Sequence, residues 1–337
     1  MGYRAEKEKT DKRKGLAKRI ALAVVVVLLV GLCVFGAFCS PITWKYYFNY
    51  PELAERKDGE MRVHFLDVGQ GDSALVELPD GKTLLVDGGD TLENTSTTIM
   101  RYLNALDIDV IDYLVISHAD QDHCGGLSVV TEHKTVLNAY MPAVNPAKAG
   151  DAFATVYANL VAQGTAMFYA SRAIKIGEGA VGYKLAFLYP YAMQTTEGAI
   201  ISNSSDADAN ELSSVLWLEY ADTSVLFMGD APFEIESFLT RDDGLGSLGE
   251  ASISDVEILK VSHHGAKGST MEWFLEYMNL ETAVVSCGLN NMYGHPAAET
   301  VDRIAAAGAK LYRTDQSGTI SVTVQPSGAY TISTQKS

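Results

Sequence analysis

Four metal-ligating side chains fall within six residues: His118, Asp120, Asp122 and His123, in the run Ser117-His118-Ala119-Asp120-Gln121-Asp122-His123. The apolar stretch Tyr113-Leu114-Val115-Ile116 comes directly before it. A strand that ends in a tight loop can aim all four groups at one point. Neutral imidazole nitrogen with carboxylate oxygen suits zinc, manganese or iron. A cation held this way can turn water into a nucleophile near neutral pH, so the run points to a hydrolase.

Later segments repeat the design. Val225 to Asp230 reads as a strand ending in Gly229-Asp230, and Ile258 to Gly265 as a strand ending in His263-His264-Gly265. Asn291 to Pro296 adds His295. Read singly, each is ordinary. Asp230 could cap a helix over 232–239, and His263 could be a satisfied loop residue. His64 alternates within a strand as a packed or solvated imidazole, and His133 lies in a polar surface stretch. Together, so many donors at strand ends point to one shared metal site.

The elements that must position these groups are short. Strands are expected over 62–68, 73–78 and 83–86, with Pro79-Asp80-Gly81-Lys82 as a hairpin turn. A helix over 95–106, a strand over 112–116 and a helix from Gly126 follow. Then come a helix over 153–163, a strand over 184–188 and a polar loop over 195–209. The pair 214–219 and 224–228 turns at Ala221-Asp222. Strand, helix, strand and helix follow over 256–261, 271–278, 282–286 and 297–307, with three strands near Leu311, Ile320 and Tyr330. Strands then helix, twice, suggests two halves packed sheet on sheet with helices outside.

The first nineteen residues carry eight Lys or Arg and three acids, and residues 20–39 carry no charge. That length spans a bilayer as a helix. A basic flank before it places the N-terminus in the cytoplasm and the rest across the membrane. A cleaved signal peptide would have a shorter apolar core, and a buried core helix would show a polar face, so a retained anchor is the expectation. Trp44, Tyr46, Tyr47, Phe48 and Tyr50 suit a membrane interface. Residues 40–60 read as a juxtamembrane linker. Beyond residue 19, 18 Lys and Arg face 39 Asp and Glu, a net charge of −21. Such a surface repels a polyanion unless positive charge gathers in one groove, for which Lys260, Lys267 and Arg313 are the candidates. With Cys124 and Cys287 alone outside residues 20–39, this is no disulfide scaffold.

On these residues the chain resembles the metallo-β-lactamase-fold hydrolases, and within them the C-terminal hydrolase domain of the competence DNA-uptake protein ComEC. The stretches that carry the likeness are Phe65 to Ser73, Leu85 to Gly89, Ser117 to Gly126, Met228 to Asp230, Leu259 to Gly265 and Tyr293 to Pro296. They span residues 61 to about 325. The resemblance implies an α/β, four-layer αββα sandwich over residues 61–337, preceded by one transmembrane helix. It implies two divalent ions, zinc or manganese. His118 and Asp120 would hold one, Asp122, His123 and His263 the other, and Asp230 would bridge them. Asp87 would brace the loop, and His264 and His295 would face substrate. Asp67, Gln70 and Asp72 would form a supporting turn. The superfamily pattern His-x-His-x-Asp-His has Asp120 at its second His, as in the competence branch and the phosphorylcholine esterases. Asn210 stands in the region of a further family His, which makes one metal position oxygen-rich and favours manganese there.

The expected activity is that of a membrane-anchored, extracytoplasmic binuclear phosphodiesterase, with Asp122, His264 and His295 at the reacting centre. Single-stranded DNA fits the competence likeness; a choline phosphate, held by tyrosines, fits the outside location and the negative charge. A β-lactam or other ester or amide hydrolase and a metal-free binding module are the rival classes. No protein partner is evident. Cys124, next to His123, is expected to be a buried small side chain.

Overall fold

The computed structural model describes residues 2–38, 41–172, 175–176, 182–190, 209–241 and 252–336. The loop expected over 195–209 lies outside them apart from Ala209. The chain divides into two units, residues 1–49 and 50–337. In the first, a helix runs from Gly2 to Phe38, starting well before the expected span because Lys, Arg and Glu are good helix formers. Its stretch Lys14–Gly36, 23 residues with mean hydropathy 2.7, is long and apolar enough to cross a membrane.

Among the described residues, the second unit has fifteen strands: β1 (Met61–Phe65), β2 (Ala74–Glu77), β3 (Thr83–Val86), β4 (Val110–Val115), β5 (Thr135–Met141), β6 (Ala166–Tyr169), β7 (Lys175–Ile176), β8 (Tyr183–Tyr189), β9 (Val215–Tyr220), β10 (Thr223–Phe227), β11 (Ile258–Lys260), β12 (Thr282–Val285), β13 (Lys310–Arg313), β14 (Ile320–Val324) and β15 (Tyr330–Thr334). One sheet runs β15-β14-β1-β2-β3-β4-β5-β6, the other β13-β12-β11-β10-β9-β8-β7. The halves are therefore not self-contained. The C-terminal hairpin β14–β15 crosses back and pairs with β1, Val63 opposite Val322. β5 and β6, which lack clear turn signals in the sequence, extend the first sheet in parallel.

The pleat decides what lies between the sheets. Val63, Phe65, Val76, Leu84, Val86 and Val115 of the first meet Leu185, Leu216, Leu218, Val225, Phe227 and Val284 of the second in one buried core. Phe65 and Phe227 touch across it, ring centroids 6.0 Å apart. The opposite faces of the second sheet's strands carry Trp217, Leu226, Leu259 and Ala283, packed under Ile235 and Leu239 of one helix and Phe274, Leu275 and Ile304 of two others. Helices covering sheets that face each other make the four-layer αββα sandwich.

Strand direction then assembles the site. β3 and β4 run parallel, as do β10, β11 and β12. Asp87 follows β3, the His118–His123 loop follows β4, Asp230 follows β10, His263 and His264 follow β11, and the loop to His295 follows β12. Open parallel sheets present functional loops at these carboxyl ends.

Candidate metal centre

Imidazoles from two loops meet first. The rings of His118 and His123 lie 4.1 Å apart, and those of His123 and His264 5.3 Å apart. Asp230 sits among them. Its Oδ1 is 3.1 Å from His123 Nε2, and its Oδ2 is 3.6 Å from His263 Nε2 and 3.7 Å from His264 Nε2. Asp122 Oδ2 is 3.2 Å from His264 Nε2, and Asp120 Oδ2 is 3.7 Å from His118 Nε2. Donors about 2.0–2.1 Å from a tetrahedral ion sit about 3.3 Å from one another. These spacings are of that size.

The donor set fits a cation better than it fits itself. Nε2 of His118 is buried without a hydrogen bond, and the buried Nε2 of His123 and Oδ1 of Asp230 have only each other, at 3.1 Å. A buried ring nitrogen left so is costly, and it is explained where an ion belongs beside it.

Behind the donors stand carboxylates that fix the rings. Asp87 Oδ2 is 2.9 Å from His123 Nδ1. The same carboxylate accepts from the Ser117 amide and hydroxyl, both at 2.7 Å, and the Ser117 hydroxyl reaches His118 Nδ1 at 3.0 Å. On the far side, Asp72 Oδ1 lies 3.1 Å from His264 Nδ1, whose other neighbour is the Ser286 carbonyl. Asp72 is itself held by Lys260. Asp72, His123, Asp230 and His264 form a four-donor group within 4.8 Å. Since Asp72 faces Nδ1 of His264 while Nε2 faces Asp122 and Asp230, its geometry is that of a brace. Ligand histidines usually have such a partner on the second nitrogen.

Backbone strain pins the loops. Asp87, His263 and His264 all lie in the left-handed region, at φ 57°, 47° and 52°. Such outliers cluster where surrounding structure enforces them. The His263 amide donates to the Gly229 carbonyl at 3.0 Å. Gly229 has φ 53°, and a Cβ there would lie 2.9 Å from Ser117 Cβ, so only glycine lets the two loops touch. Ser213 and Ser214, just after Asn210, bond to the Asp230 amide and the Ser117 carbonyl. Asn210 itself lies half-buried in the short turn Ala209–Leu212, its carbonyl accepting from Ser213.

The electrostatics follow burial and pairing. Burial, with the neighbouring His123 charge, pushes His118 down to about 3. Burial would lower His264 as well, but Asp230, Asp72 and Asp122 outweigh it and raise it to about 10. His123 is raised by Asp230 and Asp87 against the same desolvation. Raised in this way, His123 and His264 favour a bound proton on the nitrogens that face Asp230, where a cation would compete with it.

His295 lies outside the donor group, its ring 5.6 Å from His263 and 6.2 Å from His264. Burial and the two nearby histidines lower its pKa. The three candidate groove cations are each held by an acid, Lys260, Lys267 and Arg313 pairing with Asp72, Glu299 and Asp315 at 2.6, 2.6 and 2.7 Å. His64 is buried between Ser321 and Glu77, and His133 is exposed. Cys124 and Cys287 are separate buried thiols, each pushed by burial to about 12, too high for a nucleophile. Sequence reasoning had no role for Lys260 paired with Asp72, although a lysine inside an apolar strand signals a buried partner.

Residues 66–197 match the metallo-beta-lactamase superfamily, and the chain carries a domain of that superfamily. Among curated proteins it is 29% identical over 324 residues to ComE operon protein 3 of Bacillus subtilis, covering 89% of this chain and 37% of that protein. It is 31% identical over 273 residues to competence protein ComA of Neisseria gonorrhoeae, covering 78% and 32%. The chain thus spans about a third of the length of these relatives. A solved CmlA β-hydroxylase mutant is 14% identical with a TM-score of 0.47, covering 80% of this chain and 55% of that one.

Proposed function

We propose that the protein is a membrane-anchored, metal-dependent phosphodiesterase with its catalytic unit outside the cytoplasm. The observation that carries the reading is the meeting of His118, His123, His263, His264 and Asp230 from three loops, with buried imidazole nitrogens converging on one buried carboxylate. His118 and Asp120 would hold one divalent ion and Asp122, His123 and His263 a second, with Asp230 between them. Once bound, such ions activate water and neutralise charge on a phosphoryl group. His264 Nε2 is close enough to Asp122 and Asp230 to join the second set.

The rest of the chemistry falls to the chain's own groups. Asp87 and Asp72 keep the rings of His123 and His264 from turning, so the donors are preorganised. His295, half-buried at the rim beside His263, is placed to exchange a proton with a departing alkoxide. The apolar helix and its basic flank support the anchor, with the N-terminus in the cytoplasm. The competence relatives support single-stranded DNA as a substrate class. A choline phosphate stays the comparator, since none of the three candidate groove cations is unpaired.

The test is hydrolysis of bis(p-nitrophenyl) phosphate by metal-loaded protein, beside a chromogenic β-lactam. Turnover of the diester that is lost in His123→Ala, with no lactam opening, is expected. Diester turnover that survives in His123→Ala would remove the assignment.

A further inference from the structure

The loop between β12 and His295 holds its apolar side chains out beside the metal donors. Leu289 is 71% exposed, Met292 91% and Tyr293 65%. Yet the loop is well tied. Gly288 N–H donates to Gln70 Oε1 at 3.1 Å, and the Asn291 side chain donates to the Gly288 and His295 carbonyls and accepts from the His295 amide. Apolar groups held in water by an ordered loop lose little entropy when something covers them. One face of the Tyr293 ring is stacked on His295, centroids 5.7 Å apart and planes 24° apart. His295 in turn contacts His263. A chain of ring contacts, first face to face and then edge-on, therefore leads from Tyr293 to the donor group.

We infer that Tyr293 is a stacking platform for a planar ring attached next to the scissile phosphate, which makes it a specificity-determining residue. The inference rests on the phosphodiesterase reading and deepens it. Two observations choose this ligand chemistry. First, the three cations that the sequence offers for a groove, Lys260, Lys267 and Arg313, are all paired with acids, so they are not free to follow a run of phosphates. Second, a quaternary ammonium wants a cage of several aromatic faces. Among the described residues, Tyr293 is the one aromatic side chain, other than the histidines themselves, recorded in ring contact with the site's imidazoles. A single flat face suits stacking of a heterocyclic base, a contact worth about 1–3 kcal/mol per base.

The experiment compares three diesters with the same leaving group: thymidine 5′-(p-nitrophenyl phosphate), ethyl p-nitrophenyl phosphate and p-nitrophenylphosphorylcholine. Wild-type protein is expected to prefer the thymidine diester over the ethyl one in kcat/KM. Tyr293→Ala is expected to shrink that ratio about tenfold, mainly through KM, while Tyr293→Phe keeps it. A loop that had merely collapsed would lower all three diesters together and leave the ratio alone, which would overturn the inference, as would a choline preference. Calorimetric binding of thymidine 5′-monophosphate to the metal-loaded protein separates the two readings. Tyr293-dependent binding without hydrolysis of any diester would keep the platform and discard the phosphodiesterase. Binding that Tyr293→Ala leaves unchanged would discard the platform.

Discussion

Lys260 Nζ lies 2.6 Å from Asp72 Oδ2, and both side chains are buried. Asp72 comes from the loop between β1 and β2 of the first sheet and Lys260 from β11 of the second, so the pair stitches the two sheets together directly behind His264. Removing one member of a buried pair leaves the other charge stranded, at a cost of about 3–5 kcal/mol. Lys260→Met is expected to lose stability on that scale in urea denaturation, with much of it recovered in the double variant Lys260→Met, Asp72→Leu. A single-variant loss under about 1 kcal/mol would mean the pair is not buried as described.

The same pair sets an acid limit. Burial opposes ionisation of Asp72, but Lys260 and His264 hold its carboxyl well below the ordinary carboxylate value. A group whose folded pKa is depressed stabilises the fold above its unfolded pKa and loses that contribution as pH falls toward the folded one. The stability gap between wild type and Asp72→Asn is therefore expected to be level above about pH 5 and to narrow below about pH 4. A gap that instead widens on acidification would have the sign wrong.

Asp87 touches His123 and Ser117 without belonging to the donor group. Loss of such a brace costs about 10–100-fold in metal affinity or activity. Chelator competition on Asp87→Asn is expected to show weakening in that range, with the secondary structure seen by circular dichroism retained. Unchanged affinity would show that the histidine rings are held by packing alone.

Gly229 and Gly164 offer a matched pair. Both have positive φ, 53° and 74°, but a Cβ at Gly164 meets nothing within 4 Å while one at Gly229 meets Ser117 at 2.9 Å. Alanine at either position bears the left-handed penalty of about 1–2 kcal/mol. Only Gly229→Ala should also push the Ser117 loop and weaken metal binding. Equal metal affinity in the two variants would contradict the close approach.

Metal uptake should release protons. With His264 raised to about 10 and His123 also raised, both carry protons near neutral pH that a cation must displace. Apparent affinity is expected to climb about tenfold per pH unit for each proton displaced between pH 6 and 8. Calorimetry in buffers of different ionisation heat counts those protons; a count of zero would refute the claim.

The metal-bearing loops were legible because the cue was local: an apolar run that stops in His and Asp marks a strand end wherever it occurs. The hairpin turns at Pro79–Lys82 and Ala221-Asp222 were legible for the same reason, the second adopting positive φ at both residues. What the sequence hid is nonlocal. Nothing near Ile320 says that β14 pairs with β1 some 250 residues earlier. The inward turn of His264 depends on two consecutive left-handed residues that no propensity favours. Asp72 looked like a supporting turn because its partner, Lys260, lies 188 residues away. Arg313 and Lys267 read as free cations until the fold placed Asp315 and Glu299 against them.

Anomalous diffraction from crystals of the metal-loaded protein, collected on both sides of the zinc and manganese edges, tests the central claim most directly. Two peaks are predicted, one beside His118 and Asp120 and one among Asp122, His123 and His263, with Asp230 reaching both. A clean anomalous map with no peak within coordinating distance of His123 Nε2 or Asp230 would contradict the account.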